Sequence, residues 1–81
     1  MPTIAGIPGP HRFYFYSFDC DEPPHVHVQC GRGHCKIWLD GIVVAAASHV
    51  PAREIARIRR TIFQHRLRMQ EAWREHCSQA R

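Results

Sequence analysis

The chain has 81 residues, enough for one small domain and too few for a catalytic cleft walled by two. A composition of 44% hydrophobic and 22% charged residues is that of a globular chain and excludes global disorder. The longest uncharged apolar run, Ile42 to Ala47, is too short to cross a bilayer, and the N-terminus lacks the basic start and apolar core of a secretory signal. The net charge of +4 is unevenly placed. Residues 1–50 carry Arg12, Arg32 and Lys36 against Asp19, Asp21, Glu22 and Asp40, a balance of −1. Residues 51–81 carry eight arginines against Glu54, Glu71 and Glu75, a balance of +5. A basic half attracts polyanions and acidic protein partners, although an arginine excess also arises from a GC-rich genome.

In chain order, Thr3 to Ile7 is a short N-terminal segment closed by the turn residues Pro8, Gly9 and Pro10. Arg12-Phe13-Tyr14-Phe15-Tyr16-Ser17 is rich in aromatic strand formers, and Phe18 to Pro24 is a polar, proline-bearing loop. His25-Val26-His27-Val28-Gln29-Cys30 alternates with period two. Gly31-Arg32-Gly33-His34 is turn material, and Cys35-Lys36-Ile37-Trp38-Leu39 is the returning strand. A four-residue loop sets Cys30 opposite Cys35, Val28 opposite Ile37 and Val26 opposite Leu39. Every aliphatic residue then falls on one face, whereas a three-residue loop mixes the faces. After the Asp40-Gly41 turn, Ile42 to Ala46 is a further strand.

The remainder predicts one helix from about Pro51 to Cys77, roughly 40 Å long at 1.5 Å per residue. Ile55, Ile58, Ile62, Met69 and Trp73 share one stripe, while Arg53, Arg57, Arg60, Gln64, Arg68, Glu71 and Glu75 lie opposite. The expected fold is a single α+β domain over residues 1–81. A small twisted antiparallel sheet of three to five strands, within about 3–46, packs on one long C-terminal helix as a two-layer sandwich.

The helix covers one sheet face, and the other face is the candidate functional surface. If Phe13 and Phe15 are core, the opposite parity displays Arg12, Tyr14, Tyr16, His25, His27, Gln29, Lys36 and Trp38. Rings interleaved with cations suit single-stranded nucleic acid, and the same residue types suit a protein interface. One helix cannot cover both faces, so a cognate protein, a second copy of the chain, or RNA or DNA is expected there.

His25 and His27, two apart on a strand, project to one side. They are the candidate catalytic pair: with Lys36, Arg12 and Tyr14 they could supply base, acid and charge stabilisation for cleavage at an RNA 2′-hydroxyl. The same geometry is that of a two-histidine metal pair needing a third ligand from Glu22, Asp21 or His34. No carboxylate has diagnostic spacing, so the sequence assigns no metal and no cofactor. Cys20, Cys30, Cys35 and Cys77 form no C-x-x-C pair, and all four are expected as free thiols in a cytoplasm, with Cys30 and Cys35 able to bond across the hairpin under oxidation.

The opening Met1-Pro2-Thr3-Ile4, the run Arg12 to Ser17, Glu22-Pro23-Pro24-His25-Val26-His27-Val28 and Lys36-Ile37-Trp38-Leu39-Asp40 stand at distinctive spacings. So do Glu54-Ile55, His65 and Ala72-Trp73-Arg74-Glu75-His76. Over nearly the whole chain they resemble the small prokaryotic family called domain of unknown function four-one-six-zero, whose most specific part is Pro-Pro-His-Val-His-Val. The resemblance implies a cytoplasmic toxin–antitoxin-type protein with a small protein partner and an RNA target, and brings no catalytic residues with it. The alternative is a non-enzymatic regulator or inhibitor docked on another protein or nucleic-acid complex. Val50 stands where such sequences often have a helix-capping serine.

Overall fold

The computed structural model describes residues 3–16 and 19–79. Four strands form one antiparallel sheet in the order β1 (Arg12–Tyr14), β2 (His25–Cys30), β3 (Gly33–Trp38) and β4 (Val43–Ser48), followed by helices α1 (Ala52–Gln64) and α2 (Arg66–Gln79). The α+β class follows directly. Ser17 and Phe18, placed by the sequence at the end of the first strand and the start of the loop, lie outside the described residues. The Thr3–Ile7 segment contributes a single bridge, Thr3 to Tyr14, and an Ile4 N–H donated to the Phe13 carbonyl at 2.8 Å.

The central hairpin is tighter than the sequence predicts. β2 pairs with β3 so that Val26 faces Ile37, His27 faces Lys36 and Cys30 faces Gly33, leaving Gly31-Arg32 as a two-residue loop. Gly31 has φ +58°, and a glycine at the first loop position makes the turn whose twist matches that of the flanking strands. The register moves by two residues, so every side chain keeps its expected face. Gly33 and His34, read as turn, thus belong to β3. A Cβ on Gly33 would stand 2.1 Å from the His49 carbonyl oxygen, so the chain leaving β4 passes where only glycine fits. A β-bulge at Ala45 shifts the β3–β4 register, with Lys36 opposite Ala46 but Ile37 opposite Val44.

Val26, Val28 and Ile37 share one buried cluster with Phe13, Phe15, Ile58, Ile62, Met69 and Trp73. Each such aliphatic side chain is worth roughly 1.5–3 kcal/mol of burial. The predicted apolar stripe is therefore the packed one, with Ile55 at its partly buried margin.

The single long helix is a correction. The chain breaks at His65, although its N–H still reaches the Thr61 carbonyl and Met69 reaches back to His65. No proline or glycine is present to announce the break. Two local bonds favour it: the Thr61 hydroxyl donates to the Arg57 carbonyl, a contact that bends helices, and the Arg66 guanidinium takes the Phe63 carbonyl at the end of α1. Pro51 caps α1 with no side-chain hydrogen bond, in keeping with Val50 before it.

A second correction concerns the thiols. Cys20 and Cys77 form a disulfide across 57 residues, joining the loop before β2 to α2, whereas Cys30 and Cys35 are free. Sequence spacing could not reveal this pair, because its Cα–Cα distance of 5.6 Å is set by where α2 lies. Among the described residues, no helix is long and apolar enough to cross a membrane.

Candidate functional site

The face named from the sequence exists as cross-strand rows. Arg12 pairs with Gln29 and Gln29 with His34; Tyr14 pairs with His27 and His27 with Lys36; His25 pairs with Trp38. Tyr14, Tyr16, His27, His34 and Lys36 line a groove of about 350 Å³ that runs to Ala46 and Ser48 on β4. The four-residue loop expected from the sequence would oppose Trp38 to His27; the two-residue turn instead sets it against His25, ring centroids 5.4 Å apart.

This face is not the open aromatic array that parity alone implies. His25 is completely buried and Tyr14 nearly so. Tyr14 stacks on His27 at 5.6 Å, and Tyr16 meets the same imidazole edge-on at 4.7 Å. The cations are engaged as well. Arg12 lies over the Tyr14 ring and donates to Thr3, while Lys36 lies over Trp38 and pairs with Glu22. Burial, reinforced by the Tyr16 hydroxyl, pushes the Tyr14 phenol up to about 12, so it does not serve as a base near neutrality. Gln29 remains exposed at the surface.

Beneath the groove the fold adds a residue that the sequence reading did not select. A single 3-10 turn, Asp19–Asp21, drops the Asp19 carboxylate between the two histidines. Asp19 is 1% exposed. Its Oδ1 lies 3.2 Å from His25 Nε2 and its Oδ2 lies 3.1 Å from His27 Nε2. The Tyr16 backbone N–H donates to Oδ2 at 2.8 Å, and His25 Nδ1 donates to the Pro23 carbonyl at 2.9 Å. Burial alone would raise the Asp19 carboxyl; the Tyr16 N–H and the facing histidines outweigh it and hold the group below the ordinary carboxylate range. Burial pushes the His27 imidazole down, against the pull of Asp19.

The group that stands third beside the histidines, sought by the sequence in Glu22, Asp21 or His34, is instead Asp19, and one ligand-capable atom from each of the three residues lies within 4.8 Å of the others. The only signal for it in the sequence was a carboxylate six residues before His25, a spacing set by the turn rather than by any regular period. A second grouping, also missed, joins His11, Cys30 and Glu54. His11 Nε2 bonds Glu54 Oε2 at 2.8 Å, and the Cys30 thiol donates to the same oxygen at 3.7 Å.

A separate groove of about 850 Å³ is lined by Leu39, Ile42, Trp73 and the exposed Phe63, with Arg66 and Arg74. β4 closes one edge of the sheet among the described residues. No curated protein and no solved structure matches the chain significantly. One family model does, over residues 11–74, and its description is "Domain of unknown function (DUF4160)".

Proposed function

The chain belongs to the DUF4160 family, and from that premise we propose that it is a toxin–antitoxin-type protein that docks a small cognate protein along the β4 edge and the adjoining groove. The observation carrying this reading is β4 itself. Val43-Val44-Ala45-Ala46-Ala47-Ser48 is six residues without charge or proline, largely exposed and paired on one side only among the described residues. An edge of that kind is a template for strand addition, which natural chains usually blunt with lysine or proline. The packing of Ile58, Ile62, Met69 and Trp73 with Val26, Val28 and Ile37 supports reading the helices as a second layer, with the β4 edge left for a partner.

RNA is the second reading, supported by the exposed arginines of α1 and by Arg12 and Lys36 beside the groove. It is the weaker one, because those two cations and the rings they cover are already engaged within the chain. Of the candidate catalytic pair His25 is enclosed, which leaves His27, with the exposed His34 in the same groove, able to touch a bound molecule.

The test is sedimentation of the chain alone and with the small protein that co-purifies with it, comparing wild type with Val43→Lys and Ala47→Lys. Docking through β4 predicts that either lysine weakens association on the order of 10-fold or more while the fold persists. If association is unchanged, but single-stranded RNA binds in a salt-dependent manner that Arg12→Ala and Lys36→Ala abolish, the RNA reading replaces it.

A further inference from the structure

We propose that Asp19, His25 and His27 form a binding site for one divalent transition-metal ion of the zinc type, with a coordination position open toward the groove beside Lys36. The site is independent of the docking reading above.

The first argument is hydrogen-bond accounting. The Pro23 carbonyl can only accept, so His25 Nδ1 carries a proton toward it. In the neutral ring Nε2 is then a bare lone pair, aimed at a carboxylate oxygen that is also an acceptor. Both Nε2 atoms are enclosed and lie 3.1–3.2 Å from Asp19, yet neither meets it in a well-aligned hydrogen bond. Buried polar atoms left this way are rare and costly, on the order of 1–3 kcal/mol each. A cation among the three groups satisfies all of them at once.

Geometry is the second argument. Zinc binds imidazole nitrogen and carboxylate oxygen at about 2.0–2.2 Å, so neighbouring ligand atoms of a tetrahedron stand roughly 3.3 Å apart. The observed separations, 3.2 Å from Oδ1 to His25 Nε2 and 3.1 Å from Oδ2 to His27 Nε2, are near that length, each from a different carboxylate oxygen, and one donor atom from each of the three residues lies within 4.8 Å of the other two.

The surroundings complete the case. Metal-bound histidines commonly donate their other ring nitrogen to a carbonyl, and His25 does so to Pro23. Its ring is clamped by Trp38 and Trp73, at 5.4 and 5.1 Å. Asp19 is held by the Tyr16 N–H. Only the His27 side chain, 17% exposed, reaches the groove, which gives the ion a way in and leaves room for water or a ligand atom as the fourth donor. Two neutral imidazoles and one carboxylate make a donor set suited to zinc rather than to calcium or magnesium.

The experiment is titration of Zn²⁺ into the chelator-treated full chain, followed by calorimetry and thermal melting, with Co²⁺ substitution as a spectroscopic probe. The expected result is one equivalent bound, a higher melting temperature, and visible cobalt bands of a tetrahedral nitrogen–oxygen site with no thiolate charge-transfer band. Asp19→Asn and His27→Gln should each weaken binding on the order of 100-fold, and a His11→Ala, Glu54→Gln double variant should bind like wild type. The cobalt spectrum of the wild-type chain needs no variant to fold. A thiolate band would move the metal to the Cys30 cluster and overturn the proposal. Unaltered binding by a folded His27→Gln variant, or no stoichiometric binding by wild type, would equally overturn it.

Discussion

The His11–Cys30–Glu54 and Asp19–His25–His27 clusters draw on similar residue types, the first from the chain before β1, from β2 and from α1, the second from the 3-10 turn and β2 alone. In the first, Glu54 sits in the opening turn of α1, where the helix dipole favours a negative charge, and both neighbours donate to it. The bond from His11, with help from Arg57, holds the Glu54 carboxyl below the ordinary range. That cluster is half-buried and satisfied, and it reads as a clasp between the strand ends and the helix. In the second, the carboxylate is fully buried and the two ring nitrogens facing it meet it without a well-aligned hydrogen bond. Residue type therefore says little about a site; the direction of each lone pair and the supply of donors say much more.

The largest test of this contrast is the disulfide, which anchors Cys20, next to Asp19, to α2. Cys77→Ser should cost about 2–4 kcal/mol in denaturant unfolding, since the bond closes a long loop. Hydrogen exchange should rise first at residues 19–21 and least in α1 near Glu54. Equal loosening of both clusters would show that the disulfide supports the whole fold and not the Asp19 turn in particular.

Next in size is the pair of carboxylate deletions. Asp19→Ala removes the acceptor of the Tyr16 N–H and the counterpart of the buried His25 ring and the half-buried His27 ring, and should destabilise by about 2–4 kcal/mol. Glu54→Ala, at a partly solvated position, should shift the urea midpoint distinctly less.

Acid titration sharpens the comparison further. Asp19 has a depressed carboxyl in the folded chain, so its contribution is present above the ordinary aspartate value and is lost as pH falls through the lower folded value. Asp19→Asn should therefore flatten the decline of stability below about pH 4, a change readable by circular dichroism across an acid series.

The smallest effect concerns the free thiols. Burial pushes the Cys35 thiol up to about 11, and Cys30 is raised by burial and then by Glu54. Alkylation followed by mass spectrometry at pH 8 should label Cys30 slowly and Cys35 slower still. Glu54→Gln should speed the labelling of Cys30 a few-fold and leave Cys35 unchanged.

Much of the fold was legible in the chain because it depends on period alone. Alternation in His25 to Cys30 assigned Val26 and Val28 to the core, and a two-residue slip in register left that assignment intact. The apolar stripe through Ile58, Ile62, Met69 and Trp73 survived the break at His65 for the same reason, since both helices keep their faces in phase. What period cannot express is depth. It assigned His25 and Tyr14 to the face away from the core, but not that Trp73 and Trp38 enclose His25 or that neighbouring rings cover Tyr14.

By itself, then, the sequence determined an α+β chain with alternating strands, a basic helical half, and a histidine pair whose side chains share one side of a strand. The tertiary structure alone decided that Asp19 completes the pair, that Cys20 meets Cys77, and that the helix divides. The first two are contacts between groups far apart in the chain or joined by an irregular turn, where no repeat constrains separation. The third rests on how α1 ends, where the Thr61 hydroxyl and the Arg66 guanidinium take backbone carbonyls without any proline or glycine to mark the place.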